Sequence, residues 1–493
     1  MRNMARIAIE AATRAGAHYA DVRIGDQRTF VNGSLGTTWR LGFTHGYGLR
    51  VQVGGGVAFV GGTDPTADRL VAAAHSAVAT ARGIARIAAP LLRVPAPVVT
   101  GEWMTSVEVD PFEVSPDDHA FVANGFGALK GYYGRVVAPA ESCKWTSETR
   151  VFASSDGSLV TQQLRRAVPE LWLDATPATF GDRARLIHQL SLVPPCNAGF
   201  EILLGTDLHA RIIEAMHDME SWRTYAGGSI EVGRKEVVLD GQAFGALIGK
   251  TVVPALMLNN LLGDEQDVTG TSFFASPDAA LGQQLGVPQL ALSVVTGGTH
   301  FGRMQWDDEG IVPRTFPLID RGAIVDCVAS RTDVQALSSW YTQRGQPVVP
   351  AGAFSTEDVS LVPRPSPGAL VVESVPAGPS LTELVKAMKD GLLVRGAWDV
   401  QVDQQGAGGS LIPQVAFEVR DGRITQRIDD FRVDFSTKKL LKELTVIGGP
   451  MTSETMPNPH WGGLPLQNMM QTMTAPAVHI REANVASNKM VVS

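Results

Sequence analysis

Apolar positions recur at helical spacing over residues 4–16, through Ile7, Ile9 and several alanines, and the next run, YADVRIGD, alternates as a half-buried strand does. RTFVNGS, WRLGFTHGYGLRVQV and VAFVGG continue as short strands divided by glycine-rich turns. Asp64 stands as a helix cap with Pro65 in the first turn, ahead of the alanine-rich amphipathic segment DRLVAAAHSAVATAR. Past the proline-rich AAPLLRVPAPVV, a second capped helix is expected at Ser115-Pro116-Asp117-Asp118. SETRVFASSDGSLVTQQLRRAVPELWLDA reads as a hairpin turning at Asp156-Gly157, and residues 205–222 as one further helix. From Arg234-Lys235-Glu236 onward the pattern turns to strands, which places a domain boundary near residue 232. The expected fold class is α+β: an N-terminal α/β domain over 1–232 with a helix-flanked sheet, then a strand-rich antiparallel domain over 233–493.

Length agrees with two domains, since 493 residues exceed one ordinary core. An apolar content of 44% with 19% charged residues describes a soluble globular protein. The formal net charge is -8 and no Lys/Arg run exceeds a pair, which argues against direct nucleic-acid binding. The amphipathic N-terminus is short of the apolar run of a signal peptide, and no stretch approaches the roughly 18–20 apolar residues of a membrane span. Cys143, Cys196 and Cys327 are far apart and odd in number, so no disulfide framework is expected, and a cytoplasmic location is.

Candidate chemistry is sparse. Glu214 and His217, with His209 and Glu220 on the same helix, have a spacing that metal sites use, but without a partner helix bearing carboxylates they read as a solvated face. Asp307-Asp308-Glu309-Gly310 invites a metal hypothesis, although a turn before a strand selects the same residues. The stretch LIGKTVVPALMLNNLLGDEQDVTGTSFF runs from an apolar segment through an acidic loop to Gly270-Thr271-Ser272.

That stretch, together with YADVR near the start, the SSDGS turn, the DDEG turn and the closing VAFEVRDGRI hairpin, resembles the TldD/PmbA family over about residues 5–487. In the TldD branch the corresponding helix reads roughly LLHExxGHxLE, its histidines binding a metal and its first glutamate doing the chemistry. On that pattern Gly249 and Lys250 replace the His-Glu pair, Pro254 the second histidine and Met257 the later glutamate. Glycine and proline offer no ligand atom, a lysine repels a divalent cation, and Pro254 is expected to bend or break the helix. The family's third ligand, a cysteine, falls at about Gly462, and Trp398-Asp399-Val400 replace a glycine triplet before Gln401-Val402-Asp403, where bulky side chains would fill space. His460 reads as a surface-loop histidine.

The resemblance implies a TldE-like (PmbA-like) subunit, with no metal or cofactor of its own and no catalytic residue. Its partner would be a TldD-like metallopeptidase carrying zinc, the heterodimer forming a chamber for proteolysis of unfolded or peptide substrates. Lys250, Trp398, Asp399, Gln401 and His460 are the candidate substrate-binding residues. Two alternatives stand beside this: a stand-alone homodimeric peptide-binding protein, and an enzyme with non-metal chemistry in which Lys250, with a lowered pKa, acts as base or nucleophile.

Overall fold

The computed structural model describes residues 1–33, 40–89, 91–115, 136–175, 186–190, 193–204, 208–264 and 270–487. The capped helix expected from Ser115-Pro116-Asp117-Asp118 lies outside these residues.

The N-terminal sheet runs in the order Gly56–Thr63, Arg40–Val53, Tyr19–Gly33, Val136–Ser154, Leu159–Ala175, Thr100–Met104, with Leu186–Leu190 also on Leu159–Ala175. Helices Arg2–Arg14 and Ala67–Ile84 cover it through Ala5, Ala8, Ala12, Ala74, Ala77 and Ala81, buried against Val22, Leu49 and Val51. Alanine suits this place because it favours the helix and lets two helices lie close to each other and to the sheet. The cap of the second helix is Thr66, whose side chain accepts from Arg69 N, not Asp64. Asp64 instead has a positive φ of 51° and pairs with Arg69 at 3.2 Å, so the chain turns there before the helix begins. The hairpin at Asp156-Gly157 forms as expected, with Ala153 opposite Leu159.

In the C-terminal part, strands Asp390–Val402, Gly233–Leu239, Val478–Ser487, Phe431–Ser436 and Gly408–Arg420 pair in sequence, and the last pairs back onto the first. Closing the ring pairs these five strands on both sides, and Arg423–Ile428 with Gly227–Gly228 branch from Gly408–Arg420 as a remaining edge of the sheet. A second sheet runs Ala323–Ile324, Phe316–Asp320, Leu292–Val294, Ala369–Val372, Gln467–Ala475, Glu454–Gly462. Most neighbours are antiparallel; Gly233–Leu239 with Asp390–Val402 and Ala369–Val372 with Gln467–Ala475 are parallel. Between ring and sheet lies the helix Gly241–Ala255, apolar nearly all round, with Phe244, Leu247, Ile248, Val252 and Val253 buried. A helix of that composition is stable only when enclosed.

Helix Leu208–Thr224 precedes the expected boundary but packs on the C-terminal ring, burying Met216, Met219 and Trp222 against Leu393 and Phe417. His217 is exposed, and the side chains of His209, Glu214 and Glu220 lie outside the described residues. Cys143, Cys196 and Cys327 are buried free thiols. Among the described residues no helix is long and apolar enough to cross a membrane.

Candidate functional site

The helix Gly241–Ala255 starts at Asp240, whose carboxylate accepts from Ala243 N at 2.9 Å and from Gly396 N at 3.0 Å, with Arg395 Nε 3.5 Å away. Beside it, Glu454 Oε2 accepts from Gln242 N at 3.1 Å. Burial pushes the Glu454 carboxyl up to about 7, and the charge of Asp240 pushes the same way against Arg395. Asp240 is itself raised by burial, opposed by Arg395.

Small residues along this helix let the strand Glu454–Gly462 approach. A Cβ on Gly245 would press on Met456, and one on Gly249 would collide with Asn458 Oδ1. Asn458 is buried and donates its Nδ2 to Gln471 Oε1 at 3.1 Å, so it is not free to swing aside. Lys250 reaches the same strand, its Nζ donating to Pro459 O at 3.1 Å. Burial lowers the pKa of that ammonium, with Asp399 opposing. Pro254 sits in the last turn, and the helix ends at Ala255, so the expected break is a termination. Met257 is fully buried, and after it Leu258 N donates to Val328 O at 2.9 Å.

His460 lies in the edge strand, not in a surface loop. The residue is half-buried, yet its Nε2 is enclosed with no hydrogen-bond partner. Burial pushes the imidazole down to about 3, and the charges of Arg364 and Lys250 act in the same direction, so the ring is neutral at physiological pH. Gly462 closes the strand opposite Gln467, and Gly463, with φ +91°, lies over the Arg364 side chain. Pro457 and Pro459 alternate along this strand, so the N–H groups they lack fall on its outer edge, which weakens it as a template for an added strand.

Trp398 falls at a register shift between Ala397 and Asp399 and is 48% exposed. Asp399 is exposed as well and accepts from Gln401 Nε2 at 3.1 Å, while Val400 is buried. The bulk expected to fill space here therefore stands in solvent at Trp398 and Asp399, because a bulge turns Trp398 out of the ladder. Of the candidate residues, the structure links Lys250, Asp399 and His460 electrostatically and attaches Gln401 through Asp399. Gly249, Pro254 and Gly462 occupy the site's frame without a donor side chain. Among the described residues no group of three or more His, Cys, Asp and Glu is placed to hold a metal ion. Sequence reasoning missed Asn458, Gln471 and Arg364; the signal for the first two was a polar residue within the alternating runs ETMPNPHWG and QNMMQTMTA.

In the turn Asp307-Asp308-Glu309-Gly310, Asp308 and Glu309 meet arginines of the N-terminal sheet, while Asp307 folds back onto backbone N–H groups of the turn and of Phe354. Glu309 takes Arg50 at 2.9 Å and Arg331 N at 2.8 Å, and Asp307 Oδ1 accepts from Glu309 N and Ile311 N. These carboxylates meet guanidinium groups and backbone N–H groups.

Residues 232–487 match the family described as the PmbA/TldA metallopeptidase C-terminal domain. The chain belongs to the PmbA/TldD family. No curated protein matches it in sequence. Its fold is similar, over 98% of its length, to that of TldE from Thermococcus kodakarensis, with 14% identity, 100% of that chain covered and a TM-score of 0.72. A candidate modulator of a DNA gyrase from Thermotoga maritima MSB8 gives 14% identity, 99% coverage and 0.73. A second from Bacteroides thetaiotaomicron VPI-5482 gives 14%, 98% and 0.68. At such identity the likeness is one of fold, and it extends the PmbA/TldD architecture to the N-terminal sheet.

Proposed function

We propose that this chain is the metal-free subunit of a PmbA/TldD-type metallopeptidase, pairing with a zinc-bearing TldD-like chain to enclose a chamber for unfolded or peptide substrates. The observation that carries the reading is the face of the helix Gly241–Ala255. A ligand side chain at position 249 would meet Asn458, and the next position places an ammonium group on Pro459 O where the family pattern has a glutamate. The likeness in fold to a protein named TldE supports the same assignment. In this reading hydrolysis belongs to the partner's zinc, and this chain supplies wall and substrate contacts.

The test is co-expression with a TldD-like homologue from the same genome. The two chains are expected to co-purify, with zinc in the partner and chelator-sensitive peptidase activity only in the mixture. A tightly bound transition metal in this chain purified alone, together with peptide cleavage that stops when the metal is stripped, would overturn the proposal. Chelator-indifferent activity of the lone chain that is lost on Lys250→Ala would assign the chemistry to the lysine instead.

A further inference from the structure

A cleft of about 310 Å³ opens between the N-terminal sheet and the C-terminal part, a size at the lower end of small-ligand sites. Lys144 and Arg166 line it from the sheet, and Glu357, Phe301, Met304 and Met470 line it from the other side. On the sheet Lys144 lies between Val31 and Val168 of the two neighbouring strands, so no carboxylate directly across answers its charge. Arg166 lies opposite Thr146 and donates its Nη1 to Glu148 Oε2 at 3.2 Å, but Glu148 is shared with Arg150. The alternation of charges along this face therefore ends in two cations at the cleft.

Glu357 carries the negative charge of the other wall. Its Oε2 accepts from Asn468 N at 2.7 Å and its own N–H donates to Gln467 Oε1 at 3.2 Å, which ties it to the strand Gln467–Ala475. Among the described residues neither Lys144 nor Glu357 has an ion-pair partner, although both line the same cleft. Opposite charges kept apart in one opening suit a ligand that carries both signs. Phe301, held under the Arg166 guanidinium at 5.4 Å, joins Met304 and Met470 in an apolar patch. The two thioethers adapt to side chains of differing shape.

We propose that this cleft binds a small zwitterion with an apolar side chain, an α-amino acid or a short peptide with both ends free. Its carboxylate is taken by Lys144 and Arg166, its ammonium by Glu357, and its side chain by Phe301, Met304 and Met470. The zwitterion chemistry rests on the cleft alone; that such molecules are the products of a peptidase chamber rests on the function proposed above. A simple organic acid satisfies one wall and an amine only the other. The site thus distinguishes a released fragment from a segment inside a longer chain, which has no free end to offer.

Calorimetric titration of the full chain, without a partner, tests this. The probes are L-leucine and leucyl-leucine, each also in N-acetylated and in C-amidated form, with glycine and glycylglycine as side-chain controls. At least one free zwitterion is expected to bind, and the tighter of the two gives the span that the cleft takes. Acetylation and amidation should each weaken it roughly tenfold or more, as a lost charge-assisted contact implies. The glycine forms should bind more weakly, for want of an apolar side chain. Lys144→Met should shrink the penalty of amidation and Glu357→Gln that of acetylation, with thermal midpoints near the parent's because both side chains are exposed. No binding of either free zwitterion, equal binding of free and blocked forms, glycine forms binding as tightly, or an unchanged penalty in either variant would overturn the site. Failure here with subunit pairing intact removes this inference and not the chamber; failed pairing with zwitterion binding intact removes the chamber and not the site.

Discussion

Arg150 Nη1 donates to both carboxylate oxygens of Asp308, at 2.5 and 2.6 Å, joining the N-terminal sheet to the acidic turn of the C-terminal part. Burial opposes ionisation of Asp308, but Arg150 and Arg23 overcome it and hold the carboxyl below the usual range. Around this pair, Arg150 also meets Glu148, and Arg50 bridges Asp21 and Glu309. The seam between the two halves is therefore a buried alternation of charges, so removing any one partner strands another.

Asp308→Asn, or Arg150→Met, is expected to destabilise the protein by about 3–5 kcal/mol in urea unfolding. The double variant Arg150→Met/Asp308→Asn should lose less than the two single losses together, because neither group then faces the other's charge unpaired, while Glu148 and Arg23 still lose a contact. Additive losses in the double variant would show that the two side chains do not act as a pair.

Gly249→Ala is expected to destabilise by about 1–3 kcal/mol, since its methyl meets a buried amide already engaged with Gln471. Asn458→Ala opens that space, so the same glycine substitution made in its background should be close to neutral. Thermal unfolding of the four proteins in the cycle measures the coupling; an unchanged penalty in the Asn458→Ala background would refute the contact.

Asp240→Ala removes the acceptor for Ala243 N and Gly396 N at the start of the Lys250 helix. A loss of about 2–4 kcal/mol is expected, the sum of a cap and of a buried N–H left unpaired. Amide hydrogen exchange should show the first turn of the helix opening ahead of the rest.

Glu454 gives a pH dependence with a definite sign. Its folded value, about 7, lies above its ordinary value of 4.5. Between those two values the unfolded chain has released a proton that the folded chain keeps, so this group's stabilisation is full below about pH 4.5 and is lost as the pH rises to about 7. The change is on the order of 3 kcal/mol. Glu454→Gln should flatten the midpoint-against-pH curve over that window; a curve identical to the parent's would refute it.

The sequence determined a good deal. Local periods and turn residues fix the alanine-rich helices, the Asp156-Gly157 hairpin and the enclosed apolar helix, because each depends on neighbours within a few positions. That Gly249, Lys250, Pro254 and Gly462 offer no metal-ligating side chain was also legible, since it is read from residue identity alone. Only the tertiary structure decided what stands in their place. That His460 Nε2 is enclosed, that Asn458 closes the space above Gly249, that Trp398 is turned outward by a bulge, and that Asp308 and Glu309 clasp arginines more than a hundred positions away are all matters of which strands pair and in what register. Pairing across such separations is set by burial and charge balance over the whole chain, and leaves no local mark at the residues it brings together.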